Sequence, residues 1–289
     1  LKGSTMRNRP LTALVAAAAA AAGSPAAAAQ FSFSTGNPDG LIATVAGQGP
    51  GGVETETADD FVLGRNTRLV GGSFTGLIPL GLSLAAASSV KIEFYRVFPG
   101  DSANPSSGRV PTRINSPADV DFIERDSSAG DVSYTTSLLN AGFTAANSVI
   151  SGINPSLAPF TGGEGPVSGQ EVRFDFSFSA PLTIAAGHFF FVPQVTLSDG
   201  SFLWLSAAKP TAAPGTPFLG DLQSWIRNEA LQPDWLRVGT DITHQGPFNA
   251  VFTLDGATVP EPASWALMIG GFLLVGGTMR RRNMATVTA

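Results

Sequence analysis

The chain has 289 residues, with 17 Lys and Arg against 22 Asp and Glu, and no cysteine. The missing cysteines exclude a disulfide framework, thiol catalysis and cysteine metal sites, so any exported part of the chain must be held by its core. The acidic balance argues against nucleic acid or anionic lipid as a partner.

Leu1 to Thr5 precede Met6, the first candidate start, and are expected to be an artefact outside the natural chain. Met6-Arg7-Asn8-Arg9 forms a basic n-region, Leu11 to Gly23 an apolar run rich in alanine, and Ala27-Ala28-Ala29 a set of small residues suited to signal peptidase. Residues 1–29 therefore read as a secretory signal peptide. Its arginines are not paired, which points to the general export route.

Residues 30–258 are enough chain for one large domain and would make two only if both were small. Taken by itself, this stretch carries 11 Lys and Arg against 21 Asp and Glu, a charge of −10. Val90, Ile92 and Phe94 alternate with Lys91, Glu93 and Tyr95, and Val172, Phe174, Phe176 and Phe178 alternate with Arg173, Asp175 and Ser177. That two-residue period is the signature of strands with one buried face. Further strands are expected at Gln30 to Thr35, Leu41 to Val45, Phe61 to Leu63, Thr67 to Thr75, His188 to Leu197, Ser201 to Leu205 and Ala250 to Leu254. His188 to Val192 is apolar on both faces, which predicts a central strand covered on both sides, and Pro193 predicts an interruption of its ladder.

Turn chemistry recurs at Asn37-Pro38-Asp39-Gly40, Gly49-Pro50-Gly51-Gly52, Pro99-Gly100-Asp101 and Ser198-Asp199-Gly200. Long surface loops are expected at Ser102 to Ser107 and Pro155 to Gly169. Two short helices are expected, loosely over Thr136 to Ala146 and over Gly220 to Ala230, the second capped by Asp221. This pattern predicts an all-β body, a β-sandwich of the jelly-roll type.

The inventory of reactive groups is short. Of the two histidines, His188 reads as a sheet-end residue and His244 as a loop residue. No nucleophile-elbow serine, zinc-binding helix motif or phosphate-binding glycine loop occurs, and no catalytic residues are assigned. Glu54, Glu56, Asp59 and Asp60 form the densest acidic group and offer oxygen ligands to calcium, although without the spacing of an EF-hand. Asp119, Asp121, Glu124, Asp126 and Asp131 form a second acidic group. Both also fit ordinary solvated loops, and no cofactor is otherwise implied. Trp225 and Trp235 are weak candidates for stacking on a sugar ring, the stronger reading being that they cap the body, whereas Trp204 alternates with Phe202 and is expected in the core.

The last thirty residues carry the clearest signal. Ala263 to Met279 has no charged side chain. As a helix it would reach roughly 26 Å, just enough to cross a hydrocarbon core of about 30 Å. Arg280, Arg281 and Arg282 follow directly and would stay on the cytoplasmic side as a membrane stop, with 284–289 as a cytoplasmic tail, while Trp265 suits the outer interface. The two prolines of Pro260-Glu261-Pro262 hold the preceding segment extended, the form in which a peptidase reads a backbone.

Pro260-Glu261-Pro262-Ala263-Ser264-Trp265-Ala266, followed by Gly270, Gly271, Phe272, Gly276, Gly277 and the arginines, resembles the PEP-CTERM sorting signal in its PEPxxWA variant. The resemblance covers 259–283. It implies recognition by exosortase, a membrane-embedded cysteine transpeptidase of Gram-negative bacteria, cleavage near the triplet, and transfer to the cell surface or exopolysaccharide layer. The other reading is a plain C-terminal anchor. A fainter resemblance joins Glu56 to Phe61, Asp221 to Ile226, Asp234 to Gly239 and Phe248 to Leu254 to β-rich bodies that precede this tail; it supports a sandwich and gives no activity. For the body, the first expectation is a noncatalytic surface or matrix protein. The alternatives are a module that binds exopolysaccharide and a secreted enzyme acting on glycans.

Overall fold

The alternating stretches pair into two β-sheets in a computed structural model that describes residues 28–104, 107–207, 223–259 and 269–273. In chain order the strands are β1 (Gln30–Ser34), β2 (Pro38–Val45), β3 (Gly47–Gln48), β4 (Glu54–Leu63), β5 (Thr67–Ile78), β6 (Ala87–Val97), β7 (Pro117–Asp126) and β8 (Val132–Ala145). They continue as β9 (Asn147–Val149), β10 (Val167–Ile184), β11 (Gly187–Leu197), β12 (Leu203–Ala207), β13 (Trp225–Asn228), β14 (Leu236–Arg237), β15 (Asn249–Ala250) and β16 (Phe252–Thr258). The protein is all-β among the described residues, with helical structure confined to single turns and to 269–273. Gln30–Thr258 forms one compact unit.

The first sheet is centred on β5, which pairs with β10 along one side. On its other side β16 pairs with Phe74 and the residues before it, and β12 pairs with Gly76 and Leu77. The sheet extends through β10 to β8, through β16 to β1, and through β12 to β2 and β9. The second sheet runs β14-β13-β4-β3-β11-β6-β7, with β4 also pairing directly with β11.

The two sheets meet face to face through phenylalanine. Phe191 of the second sheet lies 4.9 Å from Phe252 and 5.7 Å from Phe176 of the first, stacked on both, with Trp204 edge-on at 5.9 Å. Each such pair adds about 1 kcal/mol beyond its burial. Close approach of backbone at β5 requires glycine. A Cβ on Gly76 would overlap the Leu203 carbonyl and the Phe202 ring, so only a residue without one lets β12 and its aromatics seat there. Gly47 has φ +118 and is pressed onto the backbone of Val195, a conformation and a contact that side chains exclude.

β11 is central and covered on both faces, as its double-sided apolarity predicts. Phe189 and Phe191 enter the core between the sheets, while Phe190 and Val192 join a separate cluster on the outer face. Pro193 falls between the last pairing with β4, Phe191 with Asp59, and the single pairing with β3, Val195 with Gly47. The ladder is therefore interrupted on that side only, and pairing with β6 runs through Pro193 without a shift.

Both helices expected from sequence are corrected. Thr136 to Ala145 belongs to β8, whose backbone pairs with β10 from Val132 to Ala145. The β-branched Thr135, Thr136 and Thr144 favour that state, and the loose helical spacing of Leu138 and Leu139 arises because β8 bulges there against β10. Within the helix expected over Gly220 to Ala230, Trp225–Asn228 is β13, its backbone paired with Thr55 to Ala58 of β4. Asp221 lies outside the described residues. The expected loop at Pro155 to Gly169 ends earlier, at β10, and β4 begins at Glu54 rather than Phe61.

Among the described residues no helix is long and apolar enough to cross a membrane. Residues 269–273 are helical; the remainder of the span expected over 263–279, the triplet Pro260 to Pro262, Trp265 and Arg280 to Arg282 lie outside the described residues, as do residues 1–27.

Candidate functional site

The acidic group of β4 is dispersed by the strand's own alternation. Glu54, Glu56 and Asp60 share the outer face of the second sheet, and Asp59 points the other way, where it accepts a hydrogen bond from the Ala250 N–H at 2.9 Å. Glu56 is buried against Arg227, and Asp60 Oδ2 lies 3.0 Å from His188 Nε2, at hydrogen-bond distance. Only Glu54 is well exposed. These four residues, weighed as weak calcium ligands or as an ordinary solvated loop, thus have separate partners. Among the described residues no group of three or more His, Asp or Glu is arranged to hold a metal ion. In the second acidic group Asp119 is buried against Arg113, and Glu124 and Asp126 lie on the outer face of the second sheet.

Half of that outer face is closed. Arg227, 4 % exposed, pairs with Glu56, donates to the Tyr95 hydroxyl and the Asp119 carbonyl, both at 3.0 Å, and lies over the Trp235 ring at 4.2 Å. Tyr95 in turn donates to Glu56 at 3.0 Å. Burial alone would lower the pKa of Arg227; the Glu56 carboxylate overcomes that and raises it, so the guanidinium keeps its charge. The segment between β6 and β7 covers this cluster. Arg113 bridges Asp119 and Asp234, and Arg109 donates to the carbonyls of Ala230, Leu231 and Gln232.

Trp225 and Trp235 belong to this closed half. They are 1 % and 0 % exposed, so neither presents a ring to a sugar, which corrects that expectation. Their apolar faces fill the space between the sheet and its covering segment. Trp204 is buried in the core, as expected.

The other half of the face is an open polar groove of about 410 Å³. Its floor is set by register. Lys91 of β6 stands opposite Gln194 of β11 and Asp126 of β7, and Ser89 stands opposite Thr196. Glu54, Glu124 and Glu229 complete the rim. Lys91 Nζ is 3.1 Å from both Glu54 and Glu93. Gln194, 6 % exposed, donates its amide N–H to Glu93 at 2.7 Å. Its carbonyl oxygen has no hydrogen-bond partner among the described residues and is not enclosed. From sequence, the polar alternation of Lys91, Glu93 and Tyr95 and the acidic groups holding Glu54, Glu124 and Asp126 are visible, but not that they meet; pairing with Gln194 is a tertiary fact.

Glu93 sits at the inner end of the groove. Burial pushes its carboxyl up from 4.5 to about 7, with Glu56 adding to the rise and Lys91 opposing it. The folded form thus holds this proton more tightly than the unfolded chain. Stability from this group is greatest below pH 4.5 and falls as pH rises toward 7. Stability should therefore drop between pH 5 and pH 8, and Glu93→Gln should reduce that drop by about 2 kcal/mol in urea titrations. Equal slopes in the two proteins would contradict the raised pKa.

A second depression, of about 760 Å³, lies where β11 begins, lined by Arg96, Phe122, Ile184, His188 and Phe189 among others. His188 is at the start of its strand, as expected, and among the described residues its ring is hydrogen-bonded to Asp60. His244 lies in a loop, with φ 56, stacked on Phe160 at 4.2 Å.

Fold and groove define a two-sheet β protein with one polar face. No family model matches the chain, and neither a curated protein nor a solved structure matches it.

Proposed function

We propose that the chain is an exported protein, sorted by exosortase to the cell surface or extracellular matrix, whose body acts without catalysis. Signal peptidase removes residues 1–29. The apolar helix expected over 263–279 holds the precursor in the inner membrane until the tail is cut near Pro260-Glu261-Pro262. The finer reading of the two-sheet body is the jelly-roll kind. A single coincidence carries this proposal: the compact unit runs from Gln30 to Thr258, the interval left between the two segments read as targeting signals. Loss of both signals would leave that unit's strands whole. The arrangement suits a cargo that is trimmed at each end during delivery.

Replacement of Pro260, Glu261 and Pro262 by alanine tests the proposal, because it leaves the apolar span and the arginines intact. In a host carrying the transpeptidase, the altered protein should remain at full length in the inner membrane. The unaltered protein should be found outside the cell, shortened at its C-terminus. Equal release of both would reduce the tail to a plain anchor. Neutralising Arg280, Arg281 and Arg282 should have the different effect of letting uncleaved protein slip through the membrane.

A further inference from the structure

We propose that the polar groove on the outer face of the second sheet binds a saccharide free of anionic groups, with Gln194 and Lys91 engaging neighbouring hydroxyls. Gln194 is the central observation. Its amide N–H is fixed by Glu93, and its carbonyl oxygen, accessible at the floor of the groove, accepts from no described residue. The side chain is therefore held in one orientation with an acceptor on offer. Opposite it, Lys91 uses two N–H groups on Glu54 and Glu93 and keeps the third.

An acceptor beside a donor is the complement of two adjacent hydroxyls, each of which can give and take a hydrogen bond. Ser89 and Thr196, the next facing pair along the groove, add hydroxyls that no described residue engages. Two rows of this kind suit a polyol longer than one ring. The charge of the lining narrows the class. Glu54, Glu124, Asp126 and Glu229 stand against the single cation of Lys91, so a uronate or sulfated sugar is repelled, and neutral or amino sugars are accepted. A divalent cation is disfavoured by the ammonium at the centre. The lining has no aromatic residue, so binding rests on hydrogen bonds alone and should be weak, in the millimolar range.

The inference is independent of the tail: a failed sugar titration leaves the sorting proposal standing, and a failed sorting experiment leaves the groove. The test is calorimetric titration of the purified full-length chain, in a detergent without a sugar headgroup, with cellotetraose, tetraglucosamine and tetragalacturonate. The first two should bind and the third should not. Gln194→Leu should weaken binding about tenfold. Should that variant unfold, Ser89→Ala with Thr196→Val gives the same reading, since neither hydroxyl supports the fold. Glu124→Gln with Asp126→Asn should admit tetragalacturonate. Absence of binding by both permitted sugars, equal binding of the uronate by the unaltered protein, or unchanged affinity in the groove variants would each overturn the proposal.

Discussion

Arg227→Met is expected to destabilise the protein by about 4 kcal/mol, because it leaves the Glu56 carboxyl group buried without its guanidinium partner. Arg227 and Glu56 are 4 % and 6 % exposed. The guanidinium also fixes the Tyr95 hydroxyl and the Asp119 carbonyl, and its plane covers Trp235. Removing it takes a donor from three acceptors at once and leaves Glu56 with the Tyr95 hydroxyl alone. The double variant Arg227→Met, Glu56→Gln should recover a large part of the loss, since a neutral amide costs far less to bury than a carboxylate. Urea titration of the single and double variants measures both quantities. A single variant within about 1 kcal/mol of the unaltered protein would mean that water reaches Glu56 and that the outer face is not closed.

Phe191→Ala should cost a similar amount, about 4 kcal/mol, through a different mechanism. The ring is fully buried at the meeting of the two sheets and lies against Phe252, Phe176, Phe94, Trp204 and Phe74. These neighbours come from both sheets, so collapse into the cavity would require the sheets themselves to move. Phe191→Leu keeps most of the volume and should cost about 1.5 kcal/mol. The two substitutions separate cavity from contact: a loss in Phe191→Ala no larger than in Phe191→Leu would show that the core relaxes around the gap.

The elements legible in the sequence are those whose hydrophobic period is uninterrupted. β6, β10 and β11 were found because one or both of their faces are apolar without exception from Val90 to Phe94, from Val172 to Phe178 and from His188 to Val192. Only the end of β4, from Phe61, is legible, because Glu54, Glu56, Asp59 and Asp60 make its first part read as an acidic loop. What permits those carboxylates in a strand is supplied from far along the chain, by Arg227, His188 and the Ala250 N–H. Local pattern contains no trace of such partners. β8 was mistaken for helix because two exposed leucines fall at a bulge, where the two-residue period is broken. For the outer face, aromatic residue type was a poor guide. Trp225 and Trp235, weak candidates for a binding platform, are fill beneath a covering segment, in line with the stronger reading that they cap the body, while the groove is built from residues whose meeting depends on register.

The C-terminal strand of the body has a mechanical consequence. β16 is flanked by β5 along one edge and by β1 along the other, and Gln30, the first residue of β1, stands opposite Ala257 near the end of β16. A load at Thr258 directed along the axis of β16 would be shared in shear by the hydrogen bonds on both sides instead of parting them one after another, so drawing out that strand means breaking two pairings together.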